Sequence, residues 1–336
     1  MTAGLLVRAM RDPASVDTLD AAQWNALIAA ARAERLMSTL AVRLHGRTVR
    51  ADVEPILADA RFEAEREKRQ ALWEADRCAA ALRHLDCPVI LMKGTAYAAA
   101  NLRAGQGRQI GDLDIMVPRE RIGEVEAALM AAGWEWVKPD PYDDAYYRQW
   151  MHELPPMIHR ERDRMIDVHH TTLPLTARIT PDAAAMIADR VEVGNGLSIL
   201  KPEDMACHAV AHMFADGDMA GGLRNLWDIY CLLDEFGTEP GFAGGLAERA
   251  KHHGLAGHVE RASRLASYLY GGVHGSALDG FDRAILARLM VRDGWGLERR
   301  PFLRLAFFIR SHWLRMPPAM LARHLWTKWR KGHRPA

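Results

Sequence analysis

Arg108-Gln-Ile-Gly-Asp-Leu-Asp-Ile-Met-Val117 decides how this chain folds. Ile110, Leu113, Ile115 and Val117 make it a buried strand, and Pro118 stops it. Side chains two apart on a strand share a face, so Asp112 and Asp114 point the same way. Two carboxylates side by side repel each other unless a cation lies between them. A divalent metal is the economical partner, and Mg2+ prefers carboxylate oxygens together with substrate phosphates.

Upstream, Pro88 breaks a helix and Val89-Ile-Leu-Met-Lys-Gly-Thr95 follows, an apolar strand running into a small turn. Thr95 to Leu102 is Ala-rich, as a helix packed close to a sheet would be. The missing Cβ of Gly94 lets backbone N–H groups approach an anion, and the helix N-terminus adds a favourable dipole. Gly94 and Thr95 are therefore candidate phosphate-cradle residues. Lys93 and Arg108 are candidate cations for a leaving pyrophosphate. A two-metal site needs a third acid, and Asp167 in Met165-Ile-Asp-Val-His-His170 is the best candidate. It lies between apolar neighbours on an expected strand, where an acid is costly without a cation or a positive side chain. His169 shares its face and is a candidate nucleotide contact.

Outward from this centre the chain is helical. Asp20 to Leu44 has helical spacing, capped by Asp17 or Asp20. Ala51 to Leu85 reads as one long helix with a buried stripe of Leu57, Phe62, Leu72, Trp73 and Leu82. Arg119 to Ala132 is an amphipathic helix ending at Gly133, and Trp134 to Val137 is a third strand. Lys138 to Trp150, rich in Tyr, Asp and Pro, reads as a loop or lid. Met151 to His159 and Met165 to Thr172 read as a hairpin, and Gly194-Asn-Gly196 turns a second one within Val191 to Leu200. Amphipathic helices follow over 202–214, 223–236, 242–252, 255–270 and 281–290. The expected architecture is α+β, a mixed β-sheet with flanking helices. It divides into an N-terminal helical segment (1–86), a catalytic core (87–200) and a C-terminal helical domain (201–336).

Lys93-Gly94, Arg108, Asp112/Asp114 and Asp167-Val-His169 occur in the order Lys-Gly, Arg, Asp-x-Asp, Asp-x-His. This resembles the polymerase-β-like nucleotidyltransferase superfamily, and most of all its uncharacterised bacterial nucleotidyltransferase family. Leu200-Lys-Pro-Glu-Asp204, His208, His212 and Leu223-Arg-Asn-Leu-Trp-Asp-Ile229 add to the likeness, which covers roughly 89–236. Gly94-Thr95 replaces the usual Gly-Ser turn but keeps the hydroxyl, and the spacing from turn to acids is longer than in the better-known members. The resemblance implies the nucleotidyltransferase fold, with Asp112 and Asp114 bridging two Mg2+ ions, or Mn2+ in their place. Asp167 would hold one of these and orient or deprotonate an acceptor hydroxyl. Nucleoside monophosphate would pass from a triphosphate such as ATP to an acceptor hydroxyl or phosphate, with pyrophosphate leaving. A small molecule, peptide or glycan is favoured over nucleic acid as acceptor. The rival readings are a tailoring transferase using a sugar nucleotide or other activated phosphate, and a non-catalytic module that binds a nucleotide or membrane.

The bulk composition is neutral on partners. The chain has 336 residues and a net charge of +1, with no overall pull toward nucleic acid. Cys78, Cys87, Cys207 and Cys231 are scattered, with no C-x-x-C pair to suggest zinc or a disulfide framework. The N-terminal apolar run is too short for a signal peptide and no stretch is long enough to span a bilayer, so a cytoplasmic location is expected. His208 and His212, one helical turn apart, lack the glutamate of a zinc protease and read as structural or as a wall of the nucleotide cleft. Asp228 reads as a packing acid for Arg224 or a histidine. From Arg299 onward the chain is basic and aromatic, which suggests peripheral membrane contact, although such a helix more often packs its aromatic stripe on its own domain.

Overall fold

The computed structural model describes residues 2–138, 140–272 and 277–330. At its centre β1 (Val89–Leu91) pairs antiparallel with β2 (Asp112–Met116), both almost wholly buried. Continuous apolar runs suit such positions because both faces are covered. Outward from β2, β3 (Trp134–Trp136), β4 (Met157–His159) and β5 (Met165–His169) complete one side, with β5 parallel to β2. On the other side β6 (Val191–Gly194) and β7 (Leu197–Ile199) form the expected Gly-Asn-Gly hairpin. That hairpin is not a separate appendage, because β7 runs parallel to β1. The seven-stranded mixed sheet has the order β3-β4-β5-β2-β1-β7-β6. With the helices around it, the fold is α+β.

Three expectations need correction. Lys138 to Trp150 contains helix Pro141–Trp150 rather than an open loop. Its Asp and Pro act as start signals: Asp140 accepts hydrogen bonds from Tyr142 and Asp143 N–H, and Pro141 occupies the first turn, where no donor is needed. Asp20 to Leu44 is two helices, Ala21–Ala33 and Met37–Arg43, interrupted where Arg35 adopts a left-handed backbone (φ 54°). The long helix is Glu54–Leu82, but Phe62 and Trp73 face water. Leu57 and Leu82 are buried as expected, and the rest of the stripe is Ala64, Ala71, Ala75 and Cys78, small residues that let Met37–Arg43 and Lys93–Ala99 approach closely.

The C-terminal helices follow the sequence periodicity closely: Pro202–Ala211, Gly222–Phe236, Phe242–His252, Ala256–Tyr270 and Gly280–Met290. Pro202–Ala211 continues into a π-helical turn, His212–Asp216. An unforeseen helix, Thr2–Arg11, packs against Ala21–Ala33 and Ala256–Tyr270. One hydrophobic core runs from Ala3 through the sheet to Phe307, so all three segments share it. The basic C-terminal stretch forms helices Pro301–Arg315 and Pro318–Arg330, while Lys331 to Ala336 lie outside the described residues. No described helix is long and apolar enough to cross a membrane.

Candidate active site

β2 and β5 are parallel and in register, with Asp114 opposite Asp167. Paired residues on neighbouring strands share a face, so the two carboxylates stand side by side. Asp112 lies two residues before Asp114 on that face. Ligand oxygens of Asp112, Asp114 and Asp167 lie within 4.8 Å of one another, close enough for one cation to touch all three.

Within the triad the three environments differ sharply. Asp112 is exposed. Asp114 is buried, and its Oδ1 accepts from Lys93 Nζ at 2.6 Å and is 3.0 Å from His169 Nε2. Burial alone would push its pKa up, but Lys93 and His169 outweigh that and hold it well below the usual carboxylate range. Lys93 shows the mirror image: burial pulls its pKa down, and Asp114 more than reverses this. The lysine begins helix Lys93–Ala99 with φ 47°, a left-handed conformation costly for a residue with a Cβ. His169 also faces Glu153, with Nδ1 3.3 Å from Oε2, and His152 stacks on its ring at 5.3 Å.

Asp167 carries the sign of a cation site. Its Oδ1 is buried and accepts no hydrogen bond. Burial pushes its pKa up to about 7, and the carboxylates of Glu153 and Asp114 add to the rise. An unpaired buried acid is expensive, and a divalent cation would satisfy it. The donor set fits Mg2+ or Mn2+, both of which favour carboxylate oxygens. A folded pKa above the unfolded value of 3.8 means that ionising this group costs stability as pH rises from about 4 to about 7. A cation displaces that proton, so its affinity should climb over the same window. Calorimetric titration with Mn2+ at about pH 5.5 and about pH 7.5 is expected to show at least tenfold tighter binding at the higher pH. A pH-independent affinity would remove Asp167 from the ligand set.

Gly94 has a steric role that the sequence does not reveal. A Cβ there would strike the Arg108 guanidinium, which lies directly over it. That guanidinium stacks on Tyr97 at 5.4 Å and pairs with Asp228 at 3.2 Å. Asp228 also lies 3.5 Å from Arg224, as expected, so the acid ties helix Gly222–Phe236 to Arg108. Gly94→Ala is expected to dislodge Arg108, raising the KM for a nucleoside triphosphate about tenfold and lowering the melting temperature as the Arg108–Asp228 pair loosens. Equal KM values would show that Arg108 does not meet the nucleotide. Thr95 sits behind this surface, 1 % exposed, with its hydroxyl buried and unpartnered.

Asp112 and Asp114 open into a cleft of about 740 Å3. Lys93, Gly94, Arg108, Asp112 and Asp114 form one wall, while Asp167, Thr95 and His169 lie outside its lining. The other wall comes from segments that the sequence reading left without a site role: Arg35 at the helix break, Arg224 and Asn225 on Gly222–Phe236, and Arg292 with Glu298 on the 291–299 loop. Buried Glu34 holds Arg292 in place and accepts a hydrogen bond from Leu223 N–H. His212 lines this cleft, as anticipated, and burial drives its pKa down to about 4. Neither His208 nor His212 belongs to a metal-capable group among the described residues. Asp204 is fully buried with Arg249 and His253, and it supports the helix rather than the cleft. Glu153 and Tyr147 are further neighbours of Asp167 that sequence spacing could not reveal.

The mixed seven-stranded sheet with its surrounding helices is consistent with an α+β nucleotidyltransferase-like fold, and three acids that could hold a metal converge on it. The chain belongs to the family described as uncharacterised nucleotidyltransferase, which matches residues 20–271. That span extends beyond 89–236 on both sides and takes in Arg35, Arg224 and Asn225 of the cleft, while Arg292 and Glu298 lie beyond it. No curated protein is significantly similar to the chain.

Proposed function

We propose that the protein transfers a nucleoside monophosphate from a nucleoside triphosphate, such as ATP, to an acceptor hydroxyl or phosphate. The observation that carries this is the set of three carboxylates on adjacent strands, one with a buried, unpartnered oxygen, two of which line a cleft that also holds Lys93, Arg35, Arg108, Arg224 and Arg292. Asp112, Asp114 and Asp167 would hold Mg2+ or Mn2+. Bound there, the cation would neutralise phosphate charge and support in-line displacement at the α-phosphorus.

The chain's own groups account for the remainder. Lys93, Arg108 and backbone N–H groups at Gly94 face the triphosphate, and Arg35, Arg224 and Arg292 oppose them across the cleft. Asp167 orients the acceptor and takes its proton as the new oxygen–phosphorus bond forms. The bond from the α-phosphorus to the bridging oxygen breaks, and that electron pair leaves with pyrophosphate. His169, fixed between Asp114 and Glu153, keeps Asp114 ionised and oriented. The acceptor class we favour is a small molecule, peptide or glycan, since the net charge of only +1 gives no pull toward nucleic acid.

The test is incubation of the full chain with each α-labelled nucleoside triphosphate, Mg2+ and a cell extract. Label is expected on an acceptor, with release of unlabelled pyrophosphate and an acceptor mass gain equal to one nucleoside monophosphate. A mass gain of a sugar or a bare phosphate would replace this reading with the tailoring alternative. Nucleotide binding without turnover on any acceptor would leave a non-catalytic module.

A further inference from the structure

No Asp or Glu follows Glu298, yet the 38 residues after it carry ten Lys and Arg. The first 298 residues hold the other 34 cations and all 43 acids, a net charge of −9. A near-neutral total therefore hides a strongly basic segment on an acidic body.

Helix Pro301–Arg315 has two apolar sides. One docks on the body: Phe307 stacks on Phe281 with centroids 5.9 Å apart, and Arg310 donates to the Phe214 carbonyl at 2.9 Å. Thr176 and Arg178 donate to carbonyls near its C-terminal end, which fixes its orientation. On the other side Phe302, Leu305, Ile309 and Trp313 recur at helical spacing, with exposures of 88, 55, 56 and 47 %. The adjoining loop adds Trp295 and Leu297, 81 and 63 % exposed. A helix already seated by one face does not need a second apolar stripe in water.

We propose that this stripe, with Trp295 and Leu297, is a docking surface for an anionic lipid bilayer. Arg299, Arg300, Arg304 and Arg315 lie on the same segment. Arg299 and Arg304 are more than half exposed although they pair with Asp293 and Glu298. These cations would meet lipid phosphates while the aromatic and aliphatic side chains enter the interface. The acidic body is repelled by the same surface, so only this end approaches. A nucleic acid would use the cations but gives no reason for exposed Leu305 and Ile309. A second copy of the chain would bring two such basic segments together. The helix lies in the membrane plane, since no described helix can cross. Arg292 and Glu298 of the same loop line the cleft, so docking sets one rim of it against the headgroups.

The test does not depend on nucleotidyl transfer. The full chain is sedimented with phosphatidylcholine vesicles containing about one-third phosphatidylglycerol, and with phosphatidylcholine alone. Binding is expected to the anionic vesicles and to fall at least tenfold on the neutral ones or at high salt. Phe302→Asp/Ile309→Asp should reduce binding at least tenfold with an unchanged melting temperature, while Phe302→Trp/Ile309→Leu keeps it. Undiminished binding by the Asp variant, or none to anionic vesicles by the parent chain, would overturn the proposal. So would a dimer in light scattering that the Asp variant dissociates, or single-stranded RNA binding in the absence of vesicle binding.

Discussion

Asp112→Asn is expected to lower nucleotidyl transfer about a thousandfold, from the loss of one carboxylate of a metal clamp. It should do so without cost to the fold. Asp112 is exposed and takes part in no ion pair among the described residues, so an isosteric amide leaves nothing buried and unpaired. The paired measurement is the steady-state rate beside the thermal unfolding curve of the same sample. A rate within tenfold of the parent chain would remove Asp112 from the metal site. A lost rate accompanied by a lost fold would contradict its exposed position.

Asp114 behaves differently, and the second large effect is on stability. Asp114→Leu strands the Lys93 ammonium in a buried site and takes a partner from His169. Removing one member of a buried pair costs about 3–5 kcal/mol, whereas replacing both with apolar groups is often nearly neutral. Asp114→Leu is therefore expected to lose about that much in urea unfolding, and Lys93→Met/Asp114→Leu to recover most of it. Activity stays absent in both. Equal stability of the parent and the single variant would mean that the Lys93–Asp114 pair contributes nothing to the fold. The consequence is practical: inactivity of an Asp114 variant alone cannot separate chemistry from folding, and Asp112 can.

Much of the fold was legible because periodicity and punctuation agree in most segments. The Gly194-Asn-Gly196 turn, the helix stop at Gly133 and the C-terminal amphipathic runs each state their local structure. Where reading failed, one signal had two meanings. Asp140-Pro141 looks like a breaker, but Asp then Pro is also how a helix begins. Phe62 and Trp73 look like core, but between Leu57 and Leu82 the stripe is mostly alanine, whose burial shows only when another helix lies against it.

The candidate site divides along the same line. The sequence by itself determined that Asp112 and Asp114 share a face, that a helix follows the strand at the Lys93-Gly94-Thr95 turn and that Asp167 lies on another strand, because strand alternation and turn signals are local geometry. Only the tertiary structure decided that Asp114 and Asp167 sit in register, since strand pairing joins residues more than fifty positions apart. It alone brought Asp228 to Arg108, and Arg35 and Arg292 to the cleft. Those contacts depend on how helices stack, and stacking follows from shape and burial across the whole core, which no stretch of sequence contains.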